Sequence, residues 1–141
     1  MLKILLSTDG SEQSLRVVPH AVRLNQTNGP IELHVLYVQI PIQSGHARMF
    51  LSQKDLDVYY QEEGEKALAP MCKLLDQAGV QYSKHVKIGS VAETIAQFAK
   101  EQHCDQIIMS THGRGALKHI LMGSVATDVV RISEVPVLLV K

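Results

Sequence analysis

The sequence contains no tryptophan, and only 4% of its residues are aromatic. Proteins that bind single-stranded nucleic acid use aromatic side chains as platforms on which bases stack. The formal net charge is zero, because 14 Lys and Arg residues balance 14 Asp and Glu residues. Nucleic acids and anionic membranes are usually approached with a strongly basic surface. These absences argue against a nucleic acid and against a membrane surface as partners.

Cysteines and long apolar runs are also scarce. The two cysteines, Cys72 and Cys104, form no CxxC pair, so we expect reduced thiols rather than a disulfide framework. The apolar run from Leu2 to Leu6 is too short for the core of a signal peptide. No stretch approaches the roughly 20 apolar residues that a membrane span requires. We therefore expect a cytoplasmic protein without a membrane segment.

Motifs for metal binding and for catalysis are absent as well. The chain has 7 histidines, but none forms an HxxxH or HExxH pattern or a Cys/His cluster at ligand spacing. No Ser-His-Asp or Cys-His arrangement and no catalytic pair of carboxylates is evident. We predict neither a protein-held metal ion nor dedicated catalytic residues.

What the chain does contain is enough apolar sequence for a core. Its 141 residues are 45% hydrophobic, which fits one domain of about 100–200 residues, and we expect residues 1–141 to form it. Near-continuous apolar runs of this kind are typical of strands buried on both faces of a parallel sheet. The predicted strands are residues 2–6, 31–38, 80–88, 106–109 and 136–140.

Stretches with helical spacing lie between these runs. A proline, Pro70, should bend or interrupt the second of them. The third opens on a capping box, Ser90-Val91-Ala92-Glu93. The predicted helices are residues 11–25, 56–78, 90–102 and 124–133. This alternation predicts an α/β fold, a doubly wound, open five-stranded parallel sheet with helices on both faces, Rossmann-like and with strand order 3-2-1-4-5.

The segment from Ser110 to Ser124 joins the fourth strand to the last helix at the ligand-binding edge of such a sheet. Its glycines allow close backbone approach, and a helix N-terminus attracts anions, so the segment has the chemistry of a phosphate site. An ordinary surface loop is the alternative. His112 within it would contact either a phosphate or the loop backbone. The P-loop pattern is absent, and a GxGxxG pattern beginning at Gly113 fails at Lys118.

This segment resembles the nucleotide-binding branch of the universal stress protein family. That branch has a glycine, two residues, a glycine, nine residues, then a glycine followed by Ser or Thr. Gly113, Gly123 and Ser124 fit the last three elements, and Ser110 stands in place of the first glycine. The likeness extends along the chain through Lys3-Ile4-Leu5-Leu6, Asp9-Gly10-Ser11, Leu33-His34-Val35, residues 89–95 and residues 136–140.

The resemblance implies an ATP-binding regulatory protein with ATP across the carboxyl ends of strands one and four. It places adenine and ribose contacts at Thr8, Asp9 and the backbone of Val35. Phosphate contacts are implied at Gly113, Gly123, Ser124 and Val125, with Met109 and Ser110 beside the ribose and phosphates. Arg114 and Lys118 would screen phosphate charge, and the phosphates themselves would hold Mg²⁺ or Mn²⁺.

The family's dimers pair the last strand across a two-fold axis. The resemblance therefore implies a homodimer through Val137 to Val140. An apolar strand at a sheet edge also favours pairing with a partner on general grounds.

Several alternatives stay open at this point. Asp9 and Glu12 have capping-box spacing, so the Asp9 carboxylate has a second role available as the cap of the first helix. Ser110 costs little if the motif requires only close approach, but about 1–3 kcal/mol if it requires a positive φ. The functional alternatives are a dimeric interaction module without nucleotide and a slow ATP-hydrolysing enzyme.

Overall fold

The structure is a computed structural model that describes residues 1–42, 45, 49–113 and 122–141. Within these ranges the chain forms one five-stranded sheet. The strands are β1 (Lys3–Thr8), β2 (Glu32–Gln39), β3 (Ser83–Ile88), β4 (Gln106–Ser110) and β5 (Val137–Val140). Every neighbouring pair is parallel and the order is β3-β2-β1-β4-β5, which confirms the predicted topology.

The helices alternate with the strands along the chain. They are a 3₁₀ helix (Gln13–Arg16), α1 (Val17–Thr27), α2 (Gln53–Gln77), α3 (Val91–Glu101) and α4 (Ser124–Ile132). Pro19 is tolerated because it lies in the first turn of α1, where its missing N–H has no helical partner to lose. In the described ranges, no helix combines the length and the apolar character that crossing a bilayer demands.

Helix α2 departs from the prediction at both its start and its middle. It runs through Pro70 without interruption, since Pro70 and Lys66, whose carbonyl loses its donor, both lie on the exposed face. It begins at a capping box: Ser52 Oγ accepts from Asp55 N at 3.1 Å, and the Asp55 carboxylate accepts from Ser52 N at 3.3 Å. The box predicted at Ser90 has the right position, but the Ser90 side chain makes no capping bond.

Two hydrophobic clusters, one on each face of the sheet, build the core. Ile4 and Leu6 pack with α1 and α2, whereas Leu5 between them packs with α3 and α4. This alternation is what a strand covered on both faces requires. Cys72 and Cys104 are free thiols buried in different clusters, so they are not paired in a disulfide.

Strand β3 is shorter than predicted. It begins at Ser83 rather than Val80, and the side chain of Ile88 at its end is 48% exposed. Both differences follow from its place at the sheet edge, where it pairs only with β2. An edge strand has one unpaired side and less cover than the central strands.

A hydrogen-bonded pair of histidines links β3 to β2. His34 Nδ1 lies 2.9 Å from His85 Nε2, and His34 Nε2 lies 2.9 Å from Glu32 Oε2. The ring of Phe98 on α3 packs against both imidazoles. Burial lowers the pKa of His85 below its usual value of 6.5, and the positive charges of His34 and Lys87 lower it further.

These contacts predict a stability profile that depends on His85. Once the pH falls below 6.5, the unfolded chain binds more protons than the folded one, because folding lowers the His85 pKa. The stabilisation from neutral His85 is therefore complete above pH 6.5 and is lost as the pH falls toward the folded-state pKa. Urea unfolding at a series of pH values should give a flatter acid limb for His85→Gln than for the wild type. An acid limb in His85→Gln as steep as that of the wild type would contradict this assignment.

Candidate functional site

A cavity of about 520 Å³ opens at the carboxyl ends of β1 and β4. The chain leaves β1 toward β2 on one side and returns to β4 on the other, so this is where the strand order reverses. Most of the residues predicted for the site line this cavity. They are Thr8, Asp9, Met109, Ser110, Gly113, Gly123, Ser124 and Val125.

Two predicted site residues are not brought to the cavity by the described structure. Val35 pairs with Leu6 in the interior of β2, before the strand reaches its carboxyl end. The prediction concerned the Val35 backbone, and Val35 is not among the residues that line the cavity. Its side chain is fully buried in the cluster that packs against α1 and α2. The other residue, Arg114, lies outside the described residues, as does Lys118.

The turn after β1 is held by its own side chains. Thr8 Oγ1 lies 2.7 Å from Ser14 Oγ and accepts from Gly10 N at 3.1 Å. Asp9 Oδ1 accepts from Ser11 N at 2.8 Å, which is a local Asx turn. The 3₁₀ helix begins after Glu12 and not after Asp9, so Asp9 is not its N-cap residue as the capping-box spacing had suggested. Asp9 thus orders the turn while its carboxylate lines the cavity.

Gly113 lies directly against the Asp9 carboxylate. A Cβ built on Gly113 would overlap Asp9 Oδ2. The backbone of Gly113 does not have a positive φ, so glycine is needed here for close approach and not for a left-handed conformation. The two ends of the cavity floor, one from β1 and one from the turn after β4, therefore fit together only without a side chain at position 113.

The N-terminus of α4 borders the cavity without a capping side chain. Gly123 is the N-cap residue, with φ −72° and ψ 165°, and it donates its N–H to Thr111 O at 2.6 Å. A Cβ on Gly123 would lie 3.2 Å from Thr111 O, so this position is also crowded. The first N–H groups of a helix have no intrahelical acceptor, and the helix dipole adds partial positive charge there. The arrangement suits an anion.

The backbone of Ser110 shows whether a serine is strained at the position of the motif's first glycine. It is the last residue of β4, and its φ is not positive, so the strain expected from a left-handed serine is absent. Its hydroxyl donates to the carbonyl oxygen of His112 at 2.5 Å. His112 Nδ1 lies 2.9 Å from Thr111 Oγ1, so the imidazole is engaged with the loop itself.

An apolar wall of the cavity was missed by sequence reasoning. Val91 and Ile95 on the first turns of α3 line the cavity together with Met109 and Met122. The spacing of Val91 and Ile95, one helical turn apart, places both on one face of a helix that starts at the carboxyl end of β3. That pattern was visible in the sequence, but which helix face meets the cavity depends on the packing of α3 on the sheet. An apolar wall opposite polar groups is typical of sites for flat organic ligands.

No protein-built metal centre is present in the described ranges. Among those residues, no group of three or more His, Cys, Asp and Glu side chains is placed to hold a metal ion.

Comparison with known proteins identifies the family. The model of the universal stress protein family matches residues 1–141. The chain belongs to the universal stress protein family. It is 32% identical to universal stress protein MJ0531 of Methanocaldococcus jannaschii, over 99% of this chain and 81% of that protein. It is 30% identical to universal stress protein G of Escherichia coli O157:H7, over 98% of this chain and 97% of that protein.

Solved structures of the family share the fold. Protein MJ0577 of Methanocaldococcus jannaschii superposes with a TM-score of 0.84 at 31% identity, over 99% of this chain and 95% of that one. A universal stress protein solved with cAMP aligns at 23% identity with a TM-score of 0.73, over 99% of this chain and 97% of that one. An Arabidopsis thaliana member solved with AMP aligns at 20% identity with a TM-score of 0.69, over 100% of this chain and 92% of that one.

Proposed function

We propose that the cavity binds an adenine nucleotide, ATP with Mg²⁺ or Mn²⁺, and that the bound nucleotide regulates the protein in a stress response. The observation that carries the proposal is the uncapped N-terminus of α4, which opens at Gly123 into the cavity between β1 and β4. Helix N-termini at the switch point of an open parallel sheet are suited to phosphate groups.

The phosphate end of the ligand is assigned to the first turn of α4. The N–H groups of Ser124 and Val125 belong to that turn, and Ser124 adds a hydroxyl. The first turn of α4 carries no acidic residue that would repel a phosphate. Gly113 and Gly123 place no side chain of their own in the cradle that the phosphates would enter, and the Asp9 carboxylate lies against Gly113.

The base is assigned to the apolar part of the cavity, and the ribose to the region of Asp9, which adjoins Gly113. Val91, Ile95 and Met109 offer an apolar surface for a purine ring, and the Asp9 carboxylate is an acceptor for ribose hydroxyls. The nucleotides named with the solved relatives, cAMP and AMP, support adenine as the base. Since the described residues form no metal cluster, the divalent ion would be held by the phosphates.

Calorimetry on the purified protein tests this proposal. Protein is first unfolded and the supernatant analysed for released nucleotide, and the emptied, refolded protein is then titrated with ATP and Mg²⁺. We expect saturable binding of ATP. Absence of both released nucleotide and binding heat at about millimolar ATP, which is roughly 4 kcal/mol of binding free energy, would reject it in favour of an interaction module without nucleotide. Steady turnover far above background would favour the hydrolytic alternative.

The edge strand β5 supports a second proposal, a homodimer formed through Val137 to Val140. β5 pairs only with β4, and its four residues are each only partly buried in the single chain. Pro136 O accepts from Ile107 N of β4, and Val140 O accepts from Thr111 N just after β4. The alternate residue Leu139 therefore directs its backbone groups away from the sheet. Among the described residues no strand pairs with this side of β5, and it is the side that the same strand of a second copy would join.

A proline at position 139 should dissociate this dimer. Leu139→Pro removes an outward N–H without removing a bond to β4, whereas Leu139→Ala removes only the side chain. Light scattering should give a dimer mass for the wild type and for Leu139→Ala, and a monomer mass for Leu139→Pro at the same concentration. A monomeric wild type would contradict the proposed dimer.

A further inference from the structure

We propose that Ser110 is a positioning residue whose hydroxyl orients the Gly113 N–H toward the phosphates of the bound nucleotide. The inference rests on the proposed nucleotide site and deepens it. It concerns the position at which this chain departs from the family's glycine pattern, and it assigns the serine a role that a glycine does not have.

The hydroxyl of Ser110 holds one particular peptide group. It donates to the carbonyl oxygen of His112 at 2.5 Å, and Ser110 is itself fixed as the last residue of β4, paired with Val140 of β5. Both Ser110 and Gly113 line the cavity. The bond therefore spans the turn that leads from the strand end into the phosphate cradle.

The orientation of the Gly113 N–H follows from that bond. The described chain contains no cis peptide. In a trans peptide the N–H points opposite to the C=O of the same unit. Because the His112 carbonyl is turned to the Ser110 hydroxyl, the Gly113 N–H is turned away from it. A hydroxyl at position 110 thus sets the direction of a donor at position 113.

The backbone groups on either side of the His112–Gly113 peptide have contacts that do not involve Ser110. Thr111 N donates to Val140 O at 2.9 Å, and Thr111 O accepts from Gly123 N at 2.6 Å. On the other side, the Gly113 backbone lies against Asp9. The peptide between His112 and Gly113 is flanked by a glycine, whose backbone rotates with little steric restriction. The Ser110 hydroxyl contributes a direct bond to this peptide, at its carbonyl oxygen.

This arrangement predicts that loss of the Ser110 hydroxyl weakens the binding of ligands that carry phosphate and leaves the binding of the nucleoside unchanged. Ser110→Ala removes the hydroxyl and should weaken AMP and ATP binding by about three- to tenfold, the usual contribution of one hydrogen bond. Adenosine, which has no phosphate, should bind both proteins within about twofold. Ser110→Thr keeps the hydroxyl at an extended position that suits a β-branched residue, and it should retain wild-type affinity for all three ligands.

Ser133 supplies the matched control. Its hydroxyl donates to Val135 O at 2.7 Å, the same two-residue reach, but at the far end of α4 and outside the cavity lining. Ser133→Ala should leave the affinities for AMP, ATP and adenosine unchanged. A loss in Ser133→Ala equal to that in Ser110→Ala would show a general effect on stability and overturn the proposal.

Calorimetric titration of the wild type and the three variants with AMP, ATP and adenosine is the test. Selective loss of phosphate-bearing ligands in Ser110→Ala, with recovery in Ser110→Thr, supports the proposal. Equal affinities in Ser110→Ala and the wild type, or an equal loss of adenosine, overturn it while leaving the nucleotide site intact. A wild type that binds none of the ligands overturns the nucleotide site and this inference together. As a second readout, the Gly113 amide resonance of the free protein should shift in Ser110→Ala and not in Ser133→Ala.

Discussion

Replacing Gly113 with alanine is expected to weaken nucleotide binding by about tenfold or more, since overpacking a filled site typically costs about 1–3 kcal/mol. The added Cβ would overlap Asp9 Oδ2. Asp9 cannot move freely, because its other oxygen accepts from Ser11 N at 2.8 Å. Either the Asp9 carboxylate or the turn carrying Gly113 must shift, and both line the cavity. Calorimetric titration with ATP measures the loss.

A double-mutant cycle with Asp9→Ala identifies the cause of that loss. Asp9→Ala removes the atom with which the new Cβ would overlap, so Gly113→Ala should have little further effect in that background. Additive losses would show that the alanine at position 113 acts through something other than the Asp9 carboxylate. Far-ultraviolet circular dichroism of all variants checks that the fold is retained.

Replacing Gly64 with alanine is expected to lower the free energy of unfolding by about 1–2 kcal/mol, although alanine is the better helix former by about 1 kcal/mol. Gly64 is buried on α2, and a Cβ there would overlap the methyl groups of Val86 on β3. A β-branched side chain has few alternative rotamers, so Val86 cannot turn aside cheaply. The helix would have to move away from the sheet. Urea unfolding followed by circular dichroism measures the change.

Shortening Val86 should reverse the effect of the Gly64 substitution. In a Val86→Ala background the space for the new Cβ is available, and Gly64→Ala should be neutral or stabilising through its helix propensity. A Gly64→Ala single variant that is more stable than the wild type would contradict the close packing of α2 on β3.

The parallel sheet and its two-sided cover were predictable from local sequence. Continuous apolar runs such as that at β1 identify strands buried on both faces, and their alternation with helical stretches leaves few topologies. The start of β3 and the continuity of α2 through Pro70 were not predictable in this way. The start of β3 depends on the position of this strand at the sheet edge, where its side chains are more exposed. The continuity of α2 depends on Pro70 lying on the helix face that does not pack on the sheet.

The glycine-rich part of the site was also predictable, because the spacing of Gly113 and Gly123 is a property of sequence alone. The position of Val35 was not, since its distance from the cavity depends on the register of β2 against β1. The apolar wall of Val91 and Ile95 depends likewise on how α3 lies on the sheet. Whether a serine at position 110 strains the backbone could be judged only from its backbone conformation.

Amide resonances followed during a titration of ¹⁵N-labelled protein with ATP and Mg²⁺ test the central claim most directly. If the phosphates bind at the N-terminus of α4 and the base against α3, the amides of Gly123, Ser124 and Val125 should shift saturably, together with that of Ile95. Adenosine should shift Ile95 but leave the three amides of α4 much less affected. Absence of saturable shifts at α4, or shifts confined to the open groove lined by Lys87, Glu93, Thr94, Gln97, Phe98 and Glu101, would contradict the account.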